Sequence, residues 1–356
     1  VMSTSPHVNR KESVSSIMWT VVFVLLFPAA WGVYRFGPIA LLTIAVAVIG
    51  AVLTEIGFSK MFGKKIRVSD GSAVLTGLLL AMTLPPATPL LVTLSGSIFA
   101  IGFGKMVFGG LGYNPFNPAL IGRAFLLASW PVYTTTWKVP VQKGLSMAGI
   151  PGNLIETLSG KIDVQSVVDT VTTATPLGSL KQSLTFLQNG EISSRQFNAI
   201  ENTLYSNGVL KNLFFGNIGG SLGEISAFLL LLGGLFLIVK KIITWHIPVI
   251  YILTVGIFGW VFGGPSLFQG SFLFYILSGG LFLGGFFMAT DYVSSPMFTK
   301  GKIIYAFLAG MLVVIIRRFG GYPEGVCYSI LIMNAFVPMI DRFTKPKPFG
   351  YVKGGE

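Results

Sequence analysis

The chain has 356 residues, of which 52% are hydrophobic and 11% charged, against about 45–50% apolar and about 25% charged in ordinary soluble domains. That deficit of charge excludes a conventional soluble domain, and the apolar content excludes disorder. The net charge of +12 fits the cytoplasmic loops of a membrane protein; no aromatic and basic residues interleave on a polar surface, so nucleic acid is not an expected partner.

Apolar runs long enough to cross a bilayer predict ten spans. They lie at 17–35, 38–58, 71–84, 89–108, 116–131, 224–241, 246–264, 271–290, 302–317 and 324–341. The first follows a polar segment, is long enough to cross and lacks a small-residue cleavage pattern, so it is read as a span and not a cleavable signal. The third is short, with Asp70 and Ser72 to cap its start and Pro85-Pro86 to stop it. With an even number of spans both termini share one side. Fifteen lysines and arginines collect there, Lys60, Lys64, Lys65 and Lys105 among them; the short loops opposite hold Arg35, Arg317 and Arg318. The positive-inside rule places both termini in the cytoplasm and 132–223 outside. The domains expected are therefore a cytoplasmic segment 1–16, a five-helix unit 17–131, an extracytoplasmic loop 132–223, a second five-helix unit 224–341 and a cytoplasmic tail 342–356.

The two units are related in sequence. TGLLLAMTLPPATP (76–89) aligns without gaps on LGGFFMATDYVSSP (283–296), matching Gly77 with Gly284, Thr83 with Thr290 and Pro89 with Pro296. FGGLGYNPFNPALIGRAF (108–125) aligns similarly on FGGYPEGVCYSILIMNAF (319–336). A five-helix unit repeated once must be inverted in the membrane, because five is odd. The expected fold is an all-α polytopic membrane protein of two inverted five-helix repeats carrying a large extracytoplasmic loop. Such repeats place cofactor or substrate sites where the halves meet and where helices are short or interrupted.

Two Asn-Pro pairs, Asn114 and Asn117, stand where a proline keeps the preceding residue extended and out of a helix. With Thr290 and Asp291 they offer amides, hydroxyls and carboxylates at one edge of the membrane. Two readings remain open there: capping of helix ends, or recognition of a planar heterocycle such as an isoalloxazine, with Phe116 and Tyr292 available for stacking. Charges inside spans are functional hypotheses by default. Arg123 pairs with a carboxylate or holds a cofactor oxygen; Glu55 and Asp291 lie on a cation path or in structural pairs; Glu324 caps span ten or joins that path. One cysteine, Cys327, and two histidines, His7 and His246, provide no disulfide, cluster or zinc pattern, so redox chemistry must come from an organic cofactor or a partner. In the 132–223 loop, Asp169-Thr-Val-Thr-Thr-Ala-Thr-Pro-Leu-Gly-Ser179 reads as a loop running into a helix start.

GYNPFNPALIGRAFLLASWP, FFMATDYVSSP, GGYPEGVCYSILIMNAFVPMID and TTATPLGSL together resemble the RnfD/NqrB family, with the likeness running from about Trp19 to Gly350. The closing Tyr-Pro-Glu-Gly and the Asp341-Arg-Phe-Thr-Lys-Pro-Lys-Pro segment are more similar to the RnfD branch. That resemblance implies a subunit of an Rnf-type complex passing electrons between ferredoxin and NAD, coupled to Na⁺ or H⁺ translocation across the cytoplasmic (inner) membrane. It implies FMN attached through its phosphate to Thr175, within Thr172-Thr173-Ala174-Thr175, by a separate flavin transferase; Thr173 stands where the family usually has glycine. It further implies a noncovalent riboflavin near Asn114, Asn117 and Asp291, and partner subunits that include a second one bearing covalent FMN. The alternatives are an NqrB-like subunit of a sodium-pumping NADH:quinone reductase, a non-redox inverted-repeat channel or transporter, and a scaffold without flavin.

Overall fold

The computed structural model describes residues 13–65, 68–137, 175–216, 218–322 and 324–346. Among these, every regular element is helical. Each apolar run found in the sequence contains a helix, and local chemistry explains most boundaries. Ser13 caps α1 (Val14–Phe36), its side chain accepting from Ser16 N. Pro38 occupies the first turn of α2 (Pro38–Met61), where a missing N–H costs nothing. Asp70 Oδ1 accepts from Ser72 N at 2.9 Å at the start of α3 (Ser72–Thr83), after Gly71 in the left-handed conformation. Next come α4 (Leu90–Ile101), which runs on into a π-helical turn at Gly102–Met106, α5 (Pro118–Ser129) and a short α6 (Pro131–Thr135).

The described part of the 132–223 segment is helical as well. It comprises α7 (Pro176–Gln188), α8 (Ser194–Leu204) with a Ser193/Gln196 capping box, and α9 (Asn207–Phe215), capped by Ser206. Leu177, Leu180, Leu184, Phe197 and Leu213 from these helices join the main core. Thr172 and Thr173 lie outside the described residues.

The second half contains α10 (Ala227–Val239), α11 (His246–Phe262), α12 (Phe272–Leu277), α13 (Leu281–Leu283), a π-helical turn at Gly284–Met288, α14 (Thr299–Phe319) and α15 (Val326–Thr344). The run at 271–290, expected as one span, is broken between α12 and α13. The break falls at Ser278-Gly279-Gly280, where Gly279 takes φ +72°, a conformation that only glycine adopts without strain. A Cβ there would also lie 3.0 Å from Arg317 Nη2 and from Leu177 Cδ1.

In the first half α2 packs on α3 and α4, and α4 on α5; in the second α11 packs on α12 and α14, and α14 on α15. The halves meet through α1 with α10 and α5 with α15. Four helices, α1, α2, α14 and α15, are long and apolar enough to cross a membrane, and α3, α4, α5, α10 and α11 are shorter apolar helices. Their outward faces are apolar too: Phe23, Leu53, Phe103 and Val239 are all more than half exposed. Helices apolar on every side suit lipid and not water, and the chain is a multi-pass membrane protein.

Candidate functional site

Polar side chains gather at the two ends of α3. At its C-terminal end, Arg123 of α5 is buried and donates through Nη1 to the Thr83 carbonyl, while Nη2 lies 3.3 Å from Glu324 Oε2. Burial of a lone guanidinium in an apolar setting costs several kcal/mol, and this pair offsets it across 201 positions of chain. Glu324 therefore does not cap α15: the residue before that helix is Gly325, and no side chain caps it.

Glu324 also lines a cavity of about 30 Å³ together with Thr175, Gly220, Glu224, Ser278 and Gly279. Thr175 is 8% exposed, and its hydroxyl accepts from Gly178 N at 3.1 Å as the N-cap of α7. The first turn of a helix presents unpaired N–H groups and the positive end of the helix dipole. Behind the cavity wall, Arg317 is buried and donates to the carbonyls of Tyr275 at 2.8 Å and Ser278 at 2.9 Å. Among the described residues it has no carboxylate within salt-bridge distance. On α7, the Lys181 amine donates to the Gly320 and Tyr322 carbonyls, and burial pulls its pKa below the usual lysine range.

The Asn-Pro pairs sit at the opposite end. Asn117 caps α5 through Oδ1, which accepts from Ala119 N at 3.0 Å, and its Nδ2 donates to the Met288 carbonyl at 3.2 Å. One side chain thus both caps a helix and ties the GYNPFNP segment to the MATDYVSSP segment. Asn114 is 2% exposed; Nδ2 donates to the Phe116 carbonyl, whereas Oδ1 is buried with no hydrogen-bond partner among the described residues. Thr290 donates to the Phe286 carbonyl, Asp291 Oδ2 accepts from Ser294 Oγ at 2.9 Å, and the exposed Tyr292 donates to the Ile242 carbonyl. The GYNPFNP and MATDYVSSP segments meet through the Asn117–Met288 contact.

At the same end Glu55 has a partner that hydropathy concealed. Lys105 lies in the π-helical turn after α4, is 1% exposed, and places Nζ 2.8 and 2.9 Å from the two Glu55 oxygens and 2.6 Å from Ser72 Oγ. Counted with the loop charges by sequence, Lys105 is a buried ion-pair member. Its position inside the apolar run 89–108 was the available signal. Glu224 and Arg317 escaped notice because each stands at the margin of its run, where charge is ordinary.

A model of the NQR2, RnfD, RnfE family matches residues 1–350. Over 351 residues the chain is 49% identical to a component of the proton-translocating ferredoxin:NAD⁺ oxidoreductase complex of Clostridium ljungdahlii, covering 98% of this chain and 96% of that one. It is 46% identical to a component of the Na⁺-translocating ferredoxin:NAD⁺ oxidoreductase complex of Acetobacterium woodii, covering 99% and 96%. To a component of the ion-translocating oxidoreductase complex of Stutzerimonas stutzeri the identity is 41%, covering 96% and 93%. With motifs, helices and full-length relatives in agreement, the chain belongs to the NQR2, RnfD, RnfE family.

Proposed function

We propose that this chain is a membrane subunit of an ion-translocating ferredoxin:NAD⁺ oxidoreductase complex, carrying electrons through flavin and coupling their passage to Na⁺ or H⁺. Near-complete coverage of relatives so named supports that reading over an NADH:quinone reductase subunit, a channel or a scaffold. Other subunits of such a complex, one with its own covalent FMN, and a flavin transferase are the partners this reading requires.

The observation that carries the flavin reading is the position of Thr175. Its hydroxyl sits at the N-terminus of a 13-residue helix, where backbone N–H groups and the dipole favour a phosphoester. Gly220 and Gly279 border the hydroxyl's cavity without side chains. The cavity is water-sized, so these residues address the phosphate end of FMN and not its ring. Bound flavin would supply one- and two-electron transfer that no side chain of this chain provides. At the other end, the buried orphan Asn114 Oδ1 beside Asn117 and the Asp291 segment suits a ring N–H donor, which supports the riboflavin reading there.

The inverted repeat and its topology belong to the same proposal. Supporting them are the recurring packing order within the halves and a recurring buried cation. Lys105 reaches Ser72 at the start of α3, and Arg317 reaches Ser278 just before α13. Inversion places these on opposite membrane faces, with Lys105 and both termini cytoplasmic and Thr175 outside. Mass spectrometry of the Thr175 peptide from the purified complex tests the flavin reading: the mass of FMN less water is expected, and an unmodified peptide from a host making the transferase would overturn it.

A further inference from the structure

Glu55, Lys105, Ser72 and Asp70 form one hydrogen-bonded chain. The Lys105 ammonium bonds both oxygens of Glu55 and the Ser72 hydroxyl, which in turn donates to Asp70 Oδ1 at 2.6 Å. Glu55, Lys105 and Ser72 are 5%, 1% and 4% exposed. Both acidic ends of the chain, Glu55 and Asp70, line one cavity of about 890 Å³, which also takes in Ser59 and Lys64. A buried ion pair is a poor device for stability, because desolvation offsets most of its attraction and an apolar pair of equal volume packs as well. A buried carboxylate bordering a roomy cavity, neutralised by a cation on a flexible stem, is instead suited to exchanging cations.

We propose that Glu55 is a binding site for the monovalent cation the complex moves and that Lys105 is its built-in competitor. The cation enters from the cavity onto the Glu55 carboxylate, and the ammonium withdraws toward Ser72, whose hydroxyl already adjoins it and is itself bonded to Asp70. If the cation is Na⁺, no covalent bond changes. If it is a proton, one O–H bond forms at Glu55 as one breaks in a hydronium ion entering through the cavity, which leaves water, and Lys105 keeps its own protons. Return of the ammonium expels the cation, so binding stays weak enough for release. The inference rests on the proposed ion-translocating function. Relatives at 49% and 46% identity are named for proton and Na⁺ respectively, so both cations are tested.

The test compares the purified wild-type complex with Lys105→Met and Glu55→Gln complexes, by equilibrium ²²Na⁺ binding across a concentration series and by proton uptake across a pH series. Lys105→Met is expected to tighten binding at least tenfold in one series, and Glu55→Gln to abolish that binding. Should Lys105→Met not assemble, Ser72→Ala, which removes part of the refuge the ammonium withdraws to, is expected to weaken binding in the same series about threefold. Unchanged curves in both series for Lys105→Met, or for Ser72→Ala in its place, would overturn the inference. A wild-type complex whose electron transfer drives no cation uptake would overturn the functional reading instead.

Discussion

Arg123 and Glu324 tie the two halves of the chain together: Nη2 of one lies 3.3 Å from Oε2 of the other, with Arg123 also bonded to the end of α3 at Thr83. Their side chains are 5% and 20% exposed. Removing one partner of such a pair strands the other. Arg123→Met is expected to destabilise the protein by about 2–4 kcal/mol and Glu324→Gln by about 1 kcal/mol, the guanidinium being deeper and having more partners. Thermal unfolding in detergent checks the order; a larger loss from Glu324→Gln would contradict it.

Thr175 has two separable roles in this reading. Thr175→Ala removes the α7 cap, a loss of about 1 kcal/mol, and with it the proposed attachment oxygen. Thr175→Ser keeps both. In a denaturing gel under ultraviolet light, the wild type and the serine variant are expected to fluoresce near 38.3 kDa, and the alanine variant to be dark.

At Gly77 the α3 backbone lies directly against that of α2. A Cβ there would lie 2.7 Å from both the Ala47 carbonyl oxygen and Val48 Cα, which are backbone atoms and cannot rotate away. Gly77→Ala is expected to cost about 1–3 kcal/mol by overpacking. Gly57, also helical, has nothing among the described residues within 4 Å of its Cβ position, and Gly57→Ala is expected to leave stability unchanged or raise it by up to about 1 kcal/mol. Parallel melting curves of the two variants decide the matter.

Glu201 of α8 lies in the segment assigned outside the membrane, and burial raises its pKa above the ordinary 4.5. A carboxyl that binds its proton more tightly when folded contributes stability that is complete below about pH 4.5 and lost as pH rises through the raised value. Glu201→Gln lacks that loss. Its melting temperature is expected to match the wild type at about pH 4 and to exceed it at about pH 8, which a pH series of melting curves would show.

Much of this protein is legible without coordinates. Apolar runs disclose the helices because lipid rewards continuous hydrophobic length. The Asn117-Pro118 start of α5 and the Thr175-Pro176 start of α7 are legible because capping acts within three residues. Tertiary structure alone decided the partners of the charges. It buried Lys105 on Glu55 and made Glu324, read from sequence as a cap or a member of an ion path, the counter-ion of Arg123; it also interrupted the run at 271–290 and set Arg317 behind the break. The reason is physical: hydropathy sums over neighbours in the chain, whereas a buried charge is satisfied by whichever oxygen the rotation of another helix brings within about 3 Å, here 50 or 201 positions away.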